Sequence, residues 1–155
     1  MRDQTPVPDV GVELPYAVQA VAEEMPALRT LAVDLAVAAG ELVRVGRTAA
    51  LDEVDSVQTK SSRTDVVTVM DRRCEEFLRT RLSQLRPGDA VLGEEAGVRG
   101  DPGRITWVVD TIDGTVNYLY GLPEYAVSIA AVVGDPTVSG AWHPVAGAVV
   151  NPVTG

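Results

Sequence analysis

Apolar residues in the first third of the chain recur at intervals of three and four: Leu28, Leu31, Ala32, Leu35, Ala38, Ala39 and Leu42. That spacing lines one face of a helix and predicts a helix from Pro26 to Val45, with Pro26 in its first turn and Gly46 at its stop. Tyr16 to Glu24 forms an earlier turn that either extends this helix or precedes it with a kink at Pro26. Residues 1 to 15 are rich in Pro and Asp and show no period, so they read as a flexible lead-in to one domain over 16–155.

Further along, Thr59-Lys60-Ser61-Ser62-Arg63-Thr64 is polar and turn-like, and the β-branched run Asp65-Val66-Val67-Thr68-Val69 predicts a strand. Asp71 is a suitable N-cap for a second helix, whose apolar face would be Cys74, Phe77, Leu78, Leu82 and Leu85 and whose end is Arg86-Pro87-Gly88. Short apolar runs then follow at Ala90-Val91-Leu92, at Ile105 to Val109 and at Tyr125 to Val133. The second of these is apolar at nearly every position, which suits a central strand. Val138 to Val153 alternates weakly, enough for one or two more strands, with Ser139 to Gly147 expected in a loop. Helices first and strands mostly after, with short connections, argue for an α+β layered fold, helices packed on a largely antiparallel sheet.

Composition narrows the function. A formal charge of −9 over 155 residues disfavours nucleic acid and anionic membrane surfaces as partners. It leaves room for an anionic small molecule if bound cations reverse the local sign. No apolar run reaches the roughly 18 residues of a spanning helix. No basic segment precedes an apolar one at the N-terminus, so no signal peptide is expected, and the single cysteine, Cys74, fits a cytoplasmic setting. Cys74 falls on the apolar face of its helix and reads as core filler rather than a nucleophile. The single histidine, His143, lies in a Trp-His-Pro turn away from any candidate nucleophile, which leaves a triad mechanism without its base.

The informative segment is Trp107-Val108-Val109-Asp110-Thr111-Ile112-Asp113-Gly114-Thr115. An apolar strand ends in two carboxylates with a turn between them. Asp110, the freed carbonyl of Ile112, and Asp113 are hard oxygen donors of the kind Mg²⁺ takes. Gly114-Thr115 stands where a helix is expected to start, so its N–H groups would face an incoming phosphate. Taken alone, Asp-x-x-Asp-Gly is equally the composition of an ordinary turn. A second acidic pair, Gly93-Glu94-Glu95, follows another strand, and its combination with Lys60, Asp65 and Asp71 strengthens the catalytic reading.

The string Asp110-Thr111-Ile112-Asp113-Gly114-Thr115-Val116-Asn117-Tyr118, with Gly121, Pro123, Val127, Ser128 and Ile129 beyond it, resembles the central signature of the inositol monophosphatase family. Lys60-Ser61-Ser62, Asp65-Val66-Val67-Thr68, Asp71 and Gly93-Glu94-Glu95 resemble that family's other N-terminal motifs, in order and at similar spacing. The resemblance runs from about residue 25 to the C-terminus and implies the N-terminal half of a sugar-phosphatase sandwich. It implies a Mg²⁺-dependent phosphomonoesterase acting on inositol monophosphate or a similar sugar phosphate. Glu94, Asp110 and the Ile112 carbonyl would hold one Mg²⁺, and Asp110 and Asp113 a second. Glu94 and Thr115 would activate a water, with Asp71 holding the Thr115 hydroxyl. Asp113 and the N–H groups of Gly114 and Thr115 would meet the substrate. Asp71 is also read as a plain N-cap, and the two roles are compatible.

Two departures bear on these expectations. Thr111 stands where the family usually has proline, and the family's further aspartate, from a C-terminal half, is not in this sequence. The second metal site is therefore expected to be incomplete, with part of the sheet exposed. The expected partner is a small phosphorylated substrate, with room for a homodimer. Two other readings compete: a non-catalytic remnant with a partial metal site and an interaction role, and a glycosidase using Glu94 and Asp110 as an acid/base pair.

Overall fold

A computed structural model describes residues 15–56, 63–100 and 103–155, with the side chains of 48–56 and 63–68 outside that description. In chain order the elements are α1 (Tyr16–Gln19), α2 (Met25–Ser56), α3 (Arg63–Leu85), β1 (Ala90–Gly93), β2 (Gly97–Arg99), β3 (Thr106–Asp113), α4 (Thr115–Tyr120), β4 (Ala126–Gly134) and β5 (Trp142–Val150). The five strands form one sheet in the order β2-β1-β3-β4-β5. Only β1 and β3 run parallel; the other neighbours are antiparallel. The expected α+β layering is therefore present, with the apolar strand β3 in the centre of the sheet.

The long helices cover one face of that sheet. Their buried stripes are Leu28, Ala32, Leu35, Ala39 and Val43 on α2, and Met70, Cys74, Leu78 and Leu82 on α3. Both repeat at the three- and four-residue spacing of a helix face. Opposite them, Trp107 and Val109 of β3 and Val127, Ile129 and Ala131 of β4 alternate along the strands, and all of these join one core. Trp107 is fully buried and still satisfies its indole N–H, which donates to Asp89 Oδ2 at 2.9 Å. Cys74 is buried beside the Ala39 carbonyl, and burial pushes its thiol up to about 12, so it is inert filler as expected.

Several expectations are corrected. The run Asp65 to Val69 is not a strand but the first part of α3, and Asp71 lies inside that helix rather than at its N-cap. Strand propensity in Val and Thr is weak against a tertiary stripe: Met70, Cys74 and Leu78 recur every four residues against the sheet, and their helix extends back through the β-branched run. Gly46 does not stop α2. A β-carbon there would collide with the Met70 side chain, so the glycine marks a close approach between α2 and α3. Leu85 is exposed at the end of α3 rather than on its buried face. Residues 142–147 are part of β5, not a loop, and His143 is an exposed strand residue paired with Val133. The short strand β2 was not foreseen; three residues without an apolar run carry no period.

Tyr16 to Glu24 resolves as a separate short helix, α1, followed by turns before Met25. No helix among the described residues is long and apolar enough to cross a membrane.

Candidate active site

The segment Asp110 to Thr115 occupies the end of the central strand and the turn into α4. The strand does not stop at Asp110. It continues to Asp113, with Asp110 opposite Ser128 and Asp113 opposite Ala126. Three steps along β3 thus match two along β4, which is a bulge of one residue. A bulge turns carbonyls out of the ladder, and so supplies what the sequence had assigned to a turn. Ile112 is buried by its side chain, while its carbonyl accepts the Thr115 hydroxyl at 3.2 Å.

Gly114 follows with φ +89°, a left-handed conformation that favours glycine. A β-carbon there would stand 2.8 Å from the Glu124 carbonyl. Gly114→Ala is therefore expected to cost about 2 kcal/mol or more through left-handed strain plus this contact. Urea denaturation at neutral pH measures it, and an unchanged midpoint would show that the turn tolerates a side chain.

From Gly114 the chain enters α4 and is pinned to α2. The buried Tyr118 hydroxyl donates to the Val43 carbonyl at 3.0 Å, and Arg47 Nε donates to the Tyr118 carbonyl at 2.8 Å. Tyr125 meets the Tyr118 ring edge-on at 5.0 Å between centroids. Asn117 Nδ2 donates to the Glu124 carbonyl at 2.6 Å. Asn117 and Tyr118 thus hold the bulge and turn against the rest of the domain, while Val116 is exposed.

The carboxylates around this turn share one electrostatic neighbourhood. Asp110, half-buried, has its pKa raised by burial first and then by Asp113 and Glu94. Asp71, reaching in from α3, is pushed up to about 6. Burial is the main cause; Glu95, Asp110 and Glu94 add to it, and a hydrogen bond from Thr111 opposes it. Negative charge gathered around Asp71 and Asp110 is repulsion that a divalent cation relieves, and the donors are all hard oxygens. The residues present therefore fit Mg²⁺. Among the described residues no three carboxylates are already gathered into a cage. Glu94 and Asp113 are exposed at the rim.

Glu94 and Asp110 act on Asp71, Glu94 and Asp113 act on Asp110, and Ile112, Gly114 and Thr115 lie on the bulge and turn that follow. The structure differs from expectation in one contact. The hydroxyl that meets Asp71 Oδ1, at 3.2 Å, belongs to Thr111, and Thr115 directs its own to Ile112. In the sequence Thr111 stands out only as a missing proline, and its hydroxyl carries no local signal of this contact. The buried pair Glu75 and Arg79 beneath the Glu94 turn shows in the sequence only as two charges at helical spacing, with no local sign of burial. Lys60 lies outside the described residues, as does the side chain of Asp65.

The chain is similar to known proteins in sequence and in fold. The sequence matches the inositol monophosphatase family over residues 24–155. It is 51% identical over 130 residues to the inositol-1-monophosphatase SuhB of Mycobacterium tuberculosis, covering 77% of this chain and 45% of that protein. It is 43% identical over 99 residues to a histidinol-phosphatase of Streptomyces coelicolor, covering 64% of this chain and 35% of that one. The solved structure of Mycobacterium tuberculosis SuhB superposes with a TM-score of 0.61 at 44% identity, over 83% of this chain and 41% of that chain. The chain spans less than half the length of the curated relatives it matches.

Proposed function

This chain belongs to the inositol monophosphatase family, and on that premise we propose that it serves a Mg²⁺-dependent phosphomonoesterase acting on inositol monophosphate or a similar sugar phosphate. The observation that carries the reading is the bulge at Asp110–Asp113 running into Gly114-Thr115, because one short segment offers oxygen donors for a cation and backbone N–H groups for an anion.

Glu94, Asp110 and the Ile112 carbonyl would hold one Mg²⁺, and Asp110 with Asp113 a second. Bound there, Mg²⁺ supplies positive charge against the phosphoryl oxygens and acidifies a water. The chain's own groups do the rest. Glu94 accepts the proton of the attacking water, and the Thr115 hydroxyl orients that water. Asp71, with its proton affinity raised by burial, accepts the Thr111 hydroxyl and would act on the site through that residue. The N–H groups of Gly114 and Thr115 fix the phosphate in line.

Identity to both an inositol phosphatase and a histidinol phosphatase leaves the alcohol portion open. Val116-Asn117-Tyr118 resembles the inositol branch of the family. A cytoplasmic location and a homodimer belong to the same proposal.

The test is phosphate release from inositol-1-phosphate and from histidinol phosphate by the purified protein, with and without Mg²⁺. Release that requires Mg²⁺ and favours inositol-1-phosphate is the expected result. Release that survives exhaustive chelation would reject the metal mechanism. A second reading, Mg²⁺ binding without turnover in an interaction role, is favoured by the absence of a ready three-carboxylate cage among the described residues. Mg²⁺-dependent turnover would remove it.

A further inference from the structure

Beneath the turn that carries Glu94 lies an ion pair that the proposed chemistry does not use. Glu75 and Arg79, one helical turn apart on α3, are both buried, with 3% and 7% of their surface exposed. Arg79 Nε donates to Glu75 Oε1 at 2.8 Å. The remaining bonds of the pair all go to the β1–β2 hairpin, two to its turn and one to each strand. Glu75 Oε2 accepts the Glu95 N–H at 2.9 Å, and Oε1 accepts the Ala96 N–H at 3.1 Å. Arg79 Nη1 donates to the Val91 carbonyl at 2.9 Å, and Nη2 to the Gly97 carbonyl at 2.5 Å.

The pair therefore grips the turn before, within and after its bend, at Val91, at Glu95 and Ala96, and at Gly97. Glu94 is bracketed by these contacts. Gly93, the residue before it, has no room for a side chain, because a β-carbon there would fall inside the Glu75 carboxylate. Stability alone is a weak reason for this arrangement, since apolar residues of similar volume commonly serve a core as well as a buried ion pair does. A carboxylate accepting two backbone N–H groups from the same bend is, by contrast, a direct means of fixing where the next side chain points.

We infer that Glu75 and Arg79 are positioning residues for Glu94, acting through the backbone of the turn and not by touching metal or substrate. The inference rests on the phosphatase reading for the role of Glu94, and its test separates the two. The double substitution Glu75→Leu with Arg79→Met replaces the pair by apolar side chains and removes every bond to the turn. The protein is expected to stay folded, with exchange protection at the Glu95 and Ala96 amides lost while the amides of β3 keep theirs. Mg²⁺ affinity, measured calorimetrically, is expected to weaken about 10- to 100-fold, the range typical when groups supporting a metal ligand are removed.

Should the double variant fail to fold, Glu75→Gln takes its place. It keeps the volume and turns one accepting oxygen into an NH₂ group that cannot receive an amide proton. In either folded variant, unchanged protection at both amides or unchanged Mg²⁺ affinity overturns the inference. If the unsubstituted protein binds no Mg²⁺, the phosphatase reading falls, and exchange at Glu95 and Ala96 alone then decides whether the pair holds the turn.

Discussion

Asp110→Asn is expected to lower Mg²⁺-dependent phosphate release by about 10³-fold or more and to leave the fold intact. The size follows from losing a ligand charge shared by both proposed cations. Lewis-acid stabilisation is worth several kcal/mol, and each 1.4 kcal/mol is about a decade in rate. The intact fold follows from the state of the residue itself. Burial, then Asp113 and Glu94, raise the Asp110 pKa, so its charge is a cost to the metal-free protein. Asparagine keeps the volume and removes that cost. Phosphate release and calorimetric Mg²⁺ titration read the first effect, and a thermal melt in chelator reads the second. A variant with normal turnover would remove Asp110 from the site. One that melts well below the parent would make it structural instead.

The site was legible in the sequence because its elements are contiguous. An apolar run, two aspartates and Gly-Thr need only a strand end to form the proposed metal and phosphate site, and β3 supplies that strand end in the centre of the sheet. What the sequence could not display was how that strand ends. A turn and a one-residue bulge use the same residues, and only pairing with Ser128 and Ala126 distinguishes them. The lower part of α3 was readable from Cys74, Leu78 and Leu82. Its start was not, since Val66 to Val69 carries strand propensity and the deciding contact, Met70 against Gly46, is between residues far apart in sequence. The same limit hid Glu75 and Arg79: a charged pair at helical spacing is ordinarily solvated, and nothing local says that the β1–β2 turn will cover it.

Asp71 is where proximity in space has the clearest measurable consequence. Its carboxyl is pushed up to about 6 from an ordinary value of 3.8, chiefly by burial, against the hydrogen bond from Thr111. An acid whose pKa is raised by folding binds its proton more tightly in the folded state. At pH below about 4 both states are protonated and no charge is buried, so the full stability is present. Between about 4 and 6 the unfolded chain has released the proton and the folded one still holds it, and stability falls as pH rises. Above about 6 the penalty is complete. After allowance for the part of the side chain that reaches solvent, it amounts to about 1–2 kcal/mol.

Asp71→Asn keeps an oxygen for Thr111 and removes the charge. In chelator it is expected to be more stable than the parent by about 1–2 kcal/mol at pH 7.5 and no more stable below about pH 4, as read by urea denaturation at the two values. Saturating Mg²⁺ should shrink the difference at pH 7.5, because a nearby cation offsets the same repulsion. Phosphate release should fall by about 10²-fold or more in the same variant, within the usual range for a group that handles a proton or the hydroxyl beside it. Gain of stability with loss of activity in one substitution is the mark of a charge kept for function. A stability gain that persists at pH 4, or none at pH 7.5, would mean that the Asp71 carboxyl is not held against burial. Full activity in the variant would leave Asp71 a helix residue with no part in the chemistry.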